Sequence, residues 1–380
     1  MNGSTAPLSE NIPCTLEILS PVHIGNGVKL RRDFDFYTTN DSTYIVPQSV
    51  LMDYLRKYPE DLQKFNDPNF KPLDLLIKIP KNNVHRYNVP CRAQDLHEFE
   101  RDGFARPYIP GSSIKGALRT LLFEDKLSEK NEEEVAVLLS QVKGSKSGQG
   151  ADGSLTNAVF GNKPNHTSMR ILSVSDAQFR KDDIELAHIK ILNLSNEQGT
   201  RWAWKKAGQN DMEIFAETLA MGTQGKFTLR IDKFLFENDK ANQELGFAPI
   251  SQKQLFEKIN HYSAKTIERE LKYFERLNDA KLNELLDDLD AILGMIPEQG
   301  TPKETTECVF RLGWGSGWKS MTGDWMNDAD LKAMRDKFKL GKFTDRERTE
   351  QFPIFPKTRK IIMDNGPLTV TGWVKMTTNK

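Results

Sequence analysis

Two cations stand four residues apart in the segment Ile109-Pro110-Gly111-Ser112-Ser113-Ile114-Lys115-Gly116-Ala117-Leu118-Arg119. At that spacing Lys115 and Arg119 share one face of a helix. The stripe Ile114, Ala117, Leu118, Leu121 and Leu122 faces the other way, toward a core. Gly111 lets the backbone bend, and Ser112 or Ser113 is placed to cap the first turn. Cations in a first turn oppose the helix dipole. The arrangement suits an anion held between the two side chains and the free N–H groups, with phosphate the natural candidate. A solvated basic face has the same spacing.

A second group of residues lies at Arg311-Leu312-Gly313-Trp314-Gly315-Ser316-Gly317-Trp318-Lys319-Ser320-Met321-Thr322-Gly323. Its glycines let the chain lie against a phosphodiester backbone with N–H groups aimed at phosphate oxygens. Trp314 and Trp318 can stack on bases, each worth about 1–3 kcal/mol, or anchor a tight loop from below. The segment contains neither a GxxxxGK[ST] loop nor a dinucleotide fingerprint. A third group, His23-Ile24-Gly25-Asn26-Gly27, reads as a tight turn with positive φ values. The six histidines, His23, His85, His97, His166, His188 and His261, form no HExxH or HxH pattern and stand beside no obvious acid. Cys14, Cys91 and Cys308 are far apart, which excludes a disulfide framework and a cysteine zinc site. Asp287, Asp288 and Asp290 read as a solvated helix face. No metal ligand set, cofactor motif or catalytic residue emerges.

These residues need elements to position them. Cys14–Leu19, Asp33–Tyr37 and Thr43–Val46 alternate as strands and lead to a helix over Gln48–Leu55. Pro59–Pro107 is polar, broken by prolines, and expected to be irregular. A helix is predicted over Ile114–Leu127. Ser140–Asn157, rich in Gly, Ser, Lys and Gln, reads as a mobile loop or domain junction. It divides the chain into units 1–157 and 158–380. The second unit opens with a strand over Met169–Val174 and a hairpin of Glu213–Leu219 with Lys226–Ile231. A helical region follows over 252–293, with Gly294 as its cap. The Gly/Trp-rich loop 313–323, a helix over Ala329–Phe338 and a strand over Leu368–Met376 close the chain. Two successive β-then-α sets imply a pair of α+β units.

The 380 residues carry 53 Lys+Arg and 53 Asp+Glu. A chain that coats nucleic acid non-specifically is usually basic, so any such site here is local. The segment Thr301–Lys380 holds 15 Lys/Arg against 10 Asp/Glu, which places the local excess near the C-terminus. No stretch approaches the length of a membrane span, and the first residues lack an apolar signal core. The expectation is a soluble protein of a reducing cytoplasm.

"LSPVHIGNG" at Leu19–Gly27, "YIPGSSIKGALR" at Tyr108–Arg119 and "LGWGSGWKSMTG" at Leu312–Gly323 resemble the RAMP superfamily of CRISPR-associated proteins. "AVFGN" (158–162), "ILSVSDA" (Ile171–Ala177) and "ETLAMGTQGKFTLRID" (Glu217–Asp232) follow the same order, so the resemblance covers most of the chain. Within the superfamily, "GWGSGWKSMTG", "FPKTRK" (Phe355–Lys360) and "GWVKM" (Gly372–Met376) are similar to the fifth-subunit family of the Csm complexes. The resemblance implies two ferredoxin-like (RRM-like) units with a long helical insertion. It implies a non-catalytic subunit that caps one end of a type III-A effector complex and contributes to assembly and to CRISPR RNA maturation in antiviral defence. Its partners would be the 3′-proximal CRISPR RNA, a neighbouring backbone RAMP subunit, a small helical subunit and, through the complex, target RNA; no membrane is involved. The family places RNA near Ser112, Ser113, Lys115 and Arg119, near His23, Gly25, Asn26 and Gly27, and near Gly313, Trp314, Gly315, Ser316, Gly317, Trp318 and Lys319. Two alternatives share the fold: a CRISPR RNA-processing endoribonuclease, for which His23 is the available base, and a backbone RAMP subunit. Segments 59–107 and 140–157 match no motif.

Overall fold

The computed structural model describes residues 9–146, 148–161, 167–233, 250–341, 352–363 and 368–379. The first half of the chain holds β1 (Ser9–Ile18), β2 (Gly25–Arg31), β3 (Phe36–Thr38), β4 (Thr43–Ile45), α1 (Gln48–Lys57), α2 (Pro59–Gln63), α3 (Pro72–Leu76), β5 (His85–Tyr87), β6 (Asp95–Phe99), β7 (Tyr108–Ile109), α4 (Gly111–Ser128), α5 (Glu132–Gly144) and α6 (Gly148–Phe160). The second holds β8 (Leu172–Val174), β9 (Ala177–Gln178), β10 (Ile184–Leu194), β11 (Trp202–Trp204), β12 (Lys206–Ala207), β13 (Asn210–Asp211), β14 (Glu213–Leu219) and β15 (Gln224–Asp232). It continues with α7 (Gln252–Glu275), α8 (Asn283–Gly294), β16 (Glu307–Arg311), α9 (Trp318–Thr322), α10 (Asp328–Lys337), β17 (Thr358–Ile362) and β18 (Trp373–Thr378). No described helix is long and apolar enough to cross a membrane.

Two large sheets organise this mixed α+β fold. Among the described residues the first runs β16-β18-β1-β15-β9-β7, with β8 also on β15; the second runs β11-β10-β14-β6-β2, with β17 also on β10. Each takes strands from both sides of position 157. In β1 the alternating residues Ile12, Cys14, Leu16 and Ile18 are buried, and they share one core with Ile114, Leu118 and Leu122 of α4 and Leu255, Phe256 and Ile259 of α7. The far half of α7 enters a second core, where Ile267, Leu271 and Phe274 meet Leu192 and Leu194 of β10 and Leu285 and Leu289 of α8. Asn260 of α7, almost fully buried, donates to the Glu307 carbonyl and accepts from the Val309 N–H, both at 3.0 Å. It thereby occupies backbone groups of the edge strand β16, which would otherwise be open to pairing. A small three-stranded sheet, β3-β4-β5, has its own core of Tyr37, Tyr44, Val46, Leu76 and Ile79.

Several sequence expectations change. Ser140–Asn157 is largely helical. Leu155 and Phe160 of α6 are buried in the main core, where the Phe160 ring lies 5.9 Å from Phe123, and tertiary packing of this kind overrides weak helix propensity. Gly25-Asn26-Gly27 opens the edge strand β2 instead of forming a turn. Only Gly27 has positive φ, at 86°, where the pairing with β6 shifts register between Gly25 and Lys29; a bulge uses glycine in this way. The segment Pro59–Pro107 is not wholly irregular, since it supplies β5 and β6. Strand Asp33–Tyr37 begins later, at Phe36, because Asp33 takes a turn conformation with φ 66°. The segments of the expected hairpin are strands, but they do not pair. Most of β14 is buried and it lies between β10 and β6, while β15 pairs with β1, so the chain passes from one sheet to the other at Ala220–Thr223. The helical region 252–293 is interrupted after Glu275, where Asn278 has φ 44°, and α8 folds back on α7. Gly294 ends α8 as a helical residue and Met295 is the cap.

Candidate nucleic-acid interface

Two glycine-bearing segments meet at His23. The residue follows β1 and is 4% exposed. Its Nδ1–H donates to the Glu217 carbonyl at 2.7 Å, and burial pushes the imidazole pKa down despite that bond. The His23 carbonyl accepts the Trp314 N–H at 2.9 Å. A Cβ on Gly25 would lie 2.9 Å from His23 Nε2, and one on Gly313, whose φ is +85°, would lie 2.8 Å from the His23 carbonyl oxygen. The approach at Gly313 needs glycine, whereas a side chain at Gly25 would push against the His23 ring. Gly313→Ala combines a strained φ with a backbone clash and should cost about 1–3 kcal/mol, read as a lowered thermal midpoint. A midpoint equal to that of the unmodified chain would show that the two segments are not held together here.

Trp314 serves as an anchor. Its ring stacks on His97 at 5.6 Å, carries the Lys360 ammonium 4.4 Å from its centroid, and packs on Ala187, Ile189, Ala216 and Ile362 of the second sheet. Trp318 stands apart from it, edge-on to Phe355 at 5.1 Å.

Trp318 and Phe355 form the aromatic part of a groove of about 750 Å³. In its floor β10 and β17 pair so that Ile191 faces Lys360 and Asn193 faces Thr358. Gly315 and Gly317 form one side, while Lys205, Lys206, Lys357 and Lys360 supply four ammonium groups; no Asp or Glu lines it among the described residues. Burial lowers the pKa values of Lys357 and Lys360, and like charge adds to this: Lys205 acts on both, Arg311 on Lys360. Beneath the groove, Arg359 makes a two-pronged contact with Glu270, from Nε at 2.6 Å and from the guanidinium NH2 at 2.8 Å. Arg311 approaches the same carboxylate at 4.0 Å and donates to the Thr371 carbonyl at 2.8 Å. Burial, reinforced by Arg359, lowers the Arg311 pKa to about 10 against the attraction of Glu270. Two buried cations thus share one acid, and the surrounding potential is positive.

The α4 motif adjoins this surface through α9, where the Thr120 hydroxyl lies 3.5 Å from the Met321 carbonyl. Pro110 is the helix N-cap and neither serine caps it. The Gly111 N–H instead donates to Asp176 at 2.8 Å, so a carboxylate of the chain already sits at this helix start. Ser112 is exposed, while Ser113 and Lys115 are half-buried. Lys115 is depressed by burial. Arg119 turns away to donate to the Thr156 hydroxyl, with its guanidinium 5.1 Å from the Phe160 ring centre, so its side chain packs α6 onto α4. Asn26 donates to Glu98 at 2.7 Å. Ser316 donates to the Gly313 carbonyl, and Lys319 pairs with Asp324 at 2.9 Å. The sequence-predicted residues therefore reach neighbouring positions, but several are used internally. Sequence reasoning missed Asn193, Lys205, Lys206, Phe355, Lys357, Thr358 and Lys360 as lining residues.

A sequence model of the RAMP superfamily matches residues 15–318. The chain belongs to the RAMP superfamily. Within it, the likeness is to the Csm5 proteins. "CRISPR system Cms protein Csm5" of Enterococcus italicus is 32% identical over 143 residues, covering 28% of this RAMP chain and 41% of the relative. The protein so named from Streptococcus thermophilus is 27% identical over 144 residues, covering 32% and 40%. The matched segments thus span less than half the length of these two relatives. The Methanocaldococcus jannaschii Csm5 is 24% identical over 412 residues and covers 95% of this chain and 87% of its own. Among solved structures, a chain of the "Csm-crRNA-target RNA ternary complex in type III-A CRISPR-Cas system" superposes with a TM-score of 0.63 at 20% identity, covering 97% of this chain and 100% of that one. T. onnurineus Csm5 gives 0.59 at 18% identity, covering 95% and 99%. The structural likeness establishes a shared fold.

Proposed function

We propose that this RAMP chain is a non-catalytic, CRISPR RNA-binding subunit of a cytoplasmic type III-A Csm effector complex. It caps the end near the 3′ region of that RNA and contributes to its maturation and to assembly. One observation carries the reading: the groove gathers four lysines, two aromatic rings and three glycines with no described acidic lining. Half-buried like charges are unfavourable without an anion between them. Rings that accept any base, beside cations that accept any phosphate, suit a single strand held without sequence preference. The Csm5 relatives and the Csm–crRNA–target RNA neighbour support this assignment. The partners are CRISPR RNA, a backbone RAMP subunit, a small helical subunit and, through the complex, target RNA.

The same reading assigns the first sheet to a ferredoxin-like unit. β1, α4, β8, β15, α7 and β18 follow one another as β-α-β-β-α-β, and the sheet order β18-β1-β15-β8 has antiparallel neighbours throughout. The second large sheet is the body of its partner unit. An endoribonuclease using His23 as general base would need that ring to reach a substrate hydroxyl. His23 is buried, with Nδ1 already engaged, which supports a structural role.

The test is ultraviolet crosslinking of the assembled complex followed by peptide mapping. The crosslinked nucleotide should fall on Trp318 or Phe355, and it should come from the 3′-proximal part of the RNA. Crosslinks confined to other faces of the chain would overturn the groove assignment.

A further inference from the structure

We infer that the groove distinguishes RNA from DNA, and that Asn193 and Thr358 are the residues that do so. The inference rests on the proposed reading of the groove as a single-strand site and adds the sugar to it. The groove's cations bind phosphate whether or not a 2′-hydroxyl is present. The rings of Trp318 and Phe355 stack on any base. The lysines and the aromatic rings therefore leave ribose and deoxyribose largely undistinguished.

Asn193 and Thr358 differ in kind. They are the neutral polar side chains of the lining apart from the glycine backbone. They face one another across β10 and β17, and both are half-buried. Among the described residues neither side chain has a hydrogen-bond partner. A carboxamide and a hydroxyl can each donate and accept. A ribose 2′-hydroxyl also does both, and it is the group by which proteins separate RNA from DNA.

The register sets the geometry. The Ile191–Lys360 pair is the next same-face rung beyond Asn193–Thr358. Two residues along a strand advance about 6.6 Å, a distance on the scale of one extended nucleotide. A phosphate at Lys360 therefore leaves the sugar of the same or the adjoining nucleotide beside Asn193 and Thr358. The aromatic pair then faces the base. Phosphate, sugar and base each meet the side chains suited to them.

The experiment uses the full chain at low salt, with fluorescent oligouridylate and the oligodeoxyuridylate of equal length as probes. Both carry the same base, so only the sugar differs. The chain should bind the RNA more tightly. Asn193→Ala with Thr358→Val should weaken RNA binding roughly tenfold and leave DNA binding within about twofold, as expected for hydrogen bonds lost from the sugar alone. Thr358→Val keeps the side-chain shape and β-branching of a strand residue, so tested alone it secures the result if the double variant folds poorly by thermal melt. A wild-type chain without RNA preference, or variants with an unchanged RNA-to-DNA ratio, would overturn the inference. Lys357→Ala with Lys360→Ala serves as the second arm and should weaken both probes together. If it weakens neither, the groove is not the nucleic-acid site and the broader reading fails. If it weakens both while the sugar variants leave the ratio unchanged, only the sugar assignment fails.

Discussion

Glu270→Gln should lower the unfolding free energy by about 3–5 kcal/mol, the range found when one partner of a buried ion pair is removed. Glu270 is 8% exposed and its carboxylate receives both prongs of Arg359, with Arg311 4.0 Å from the oxygen that Arg359 Nε contacts. Without its charge, two guanidinium groups remain under the groove, with a neutral amide oxygen and the Thr371, Pro356 and Thr358 carbonyls as their acceptors. Burial raises the Glu270 pKa, but Arg359 and then Arg311 outweigh it and hold the carboxyl below the usual glutamate range. The sign follows from linkage: the unfolded chain binds this proton more readily than the folded one. The stabilisation is fully present above about pH 4.3, the unfolded value, and is lost as pH falls through the lower folded value. Chemical denaturation of the unmodified chain and of Glu270→Gln across the acid range measures both effects. The difference between them should shrink as pH falls through that window. A variant within about 0.5 kcal/mol of the unmodified chain, the range of ordinary surface substitutions, would show that the triad carries no net stability. A double-mutant cycle with Arg359→Leu should show strong coupling, because Glu270 and Arg359 are in direct contact.

The elements that the sequence made legible are those with an uninterrupted local period. β1 alternates Ile12, Cys14, Leu16 and Ile18, and α4 repeats Ile114, Leu118 and Leu122 along one face. Local pattern specifies such segments because one face of each is buried. The partners of β14 and β15 were not legible. A short turn between two alternating runs suits a hairpin, yet the buried residues of β14 require neighbours on both edges, and only the assembled sheets supply them. The α6 helix was hidden for a related reason. Gly148, Gly150 and Gly153 lower its intrinsic propensity, while the burial of Leu155 and Phe160 depends on α4, some thirty residues earlier.

The site was legible in part. The three motifs do converge, since His23 binds the Trp314 N–H and Thr120 reaches Met321. Their glycines were informative because close backbone approach requires them. Individual roles were less accessible. Trp314 and Trp318 are alike in sequence, but Trp314 anchors on the second sheet and Trp318 faces the groove. Arg119 and Lys115 share a helix face in projection, yet α6 captures Arg119. The missed lysines lie on β12 and β17 and in the segments leading into them, distant in sequence and joined through β10. "FPKTRK" was the available signal, since its half-buried Lys357 and Lys360 line the groove while Arg359 between them reaches Glu270.

Lys357→Met with Lys360→Met should weaken RNA binding and stabilise the free protein at the same time. The opposite signs follow from one cause. Burial first, then neighbouring cations, depress both ammonium pKa values, so the folded chain holds these charges less favourably than the unfolded chain does. Groups of this kind contribute stability that is fully present above the unfolded lysine value of about 10.4 and is lost as pH falls through the lower folded values. Near neutral pH both are charged and both cost stability. Methionine keeps most of the aliphatic length and removes the charge, so the thermal midpoint of the free chain should rise. RNA supplies the missing anions, so the same substitutions should lower affinity most at low salt. Each lost phosphate contact should reduce the slope of log affinity against log salt by about 0.7 for a single strand. The measurement is RNA binding by the assembled complex over a salt series, paired with melts of the isolated chain. Unchanged slope with unchanged affinity would remove these lysines from the interface. A lowered midpoint in the free chain would show that they stabilise the fold and are not held at its expense. The predicted pair of outcomes, a more stable protein and a weaker complex, is the pattern expected where a charged site is maintained for its ligand.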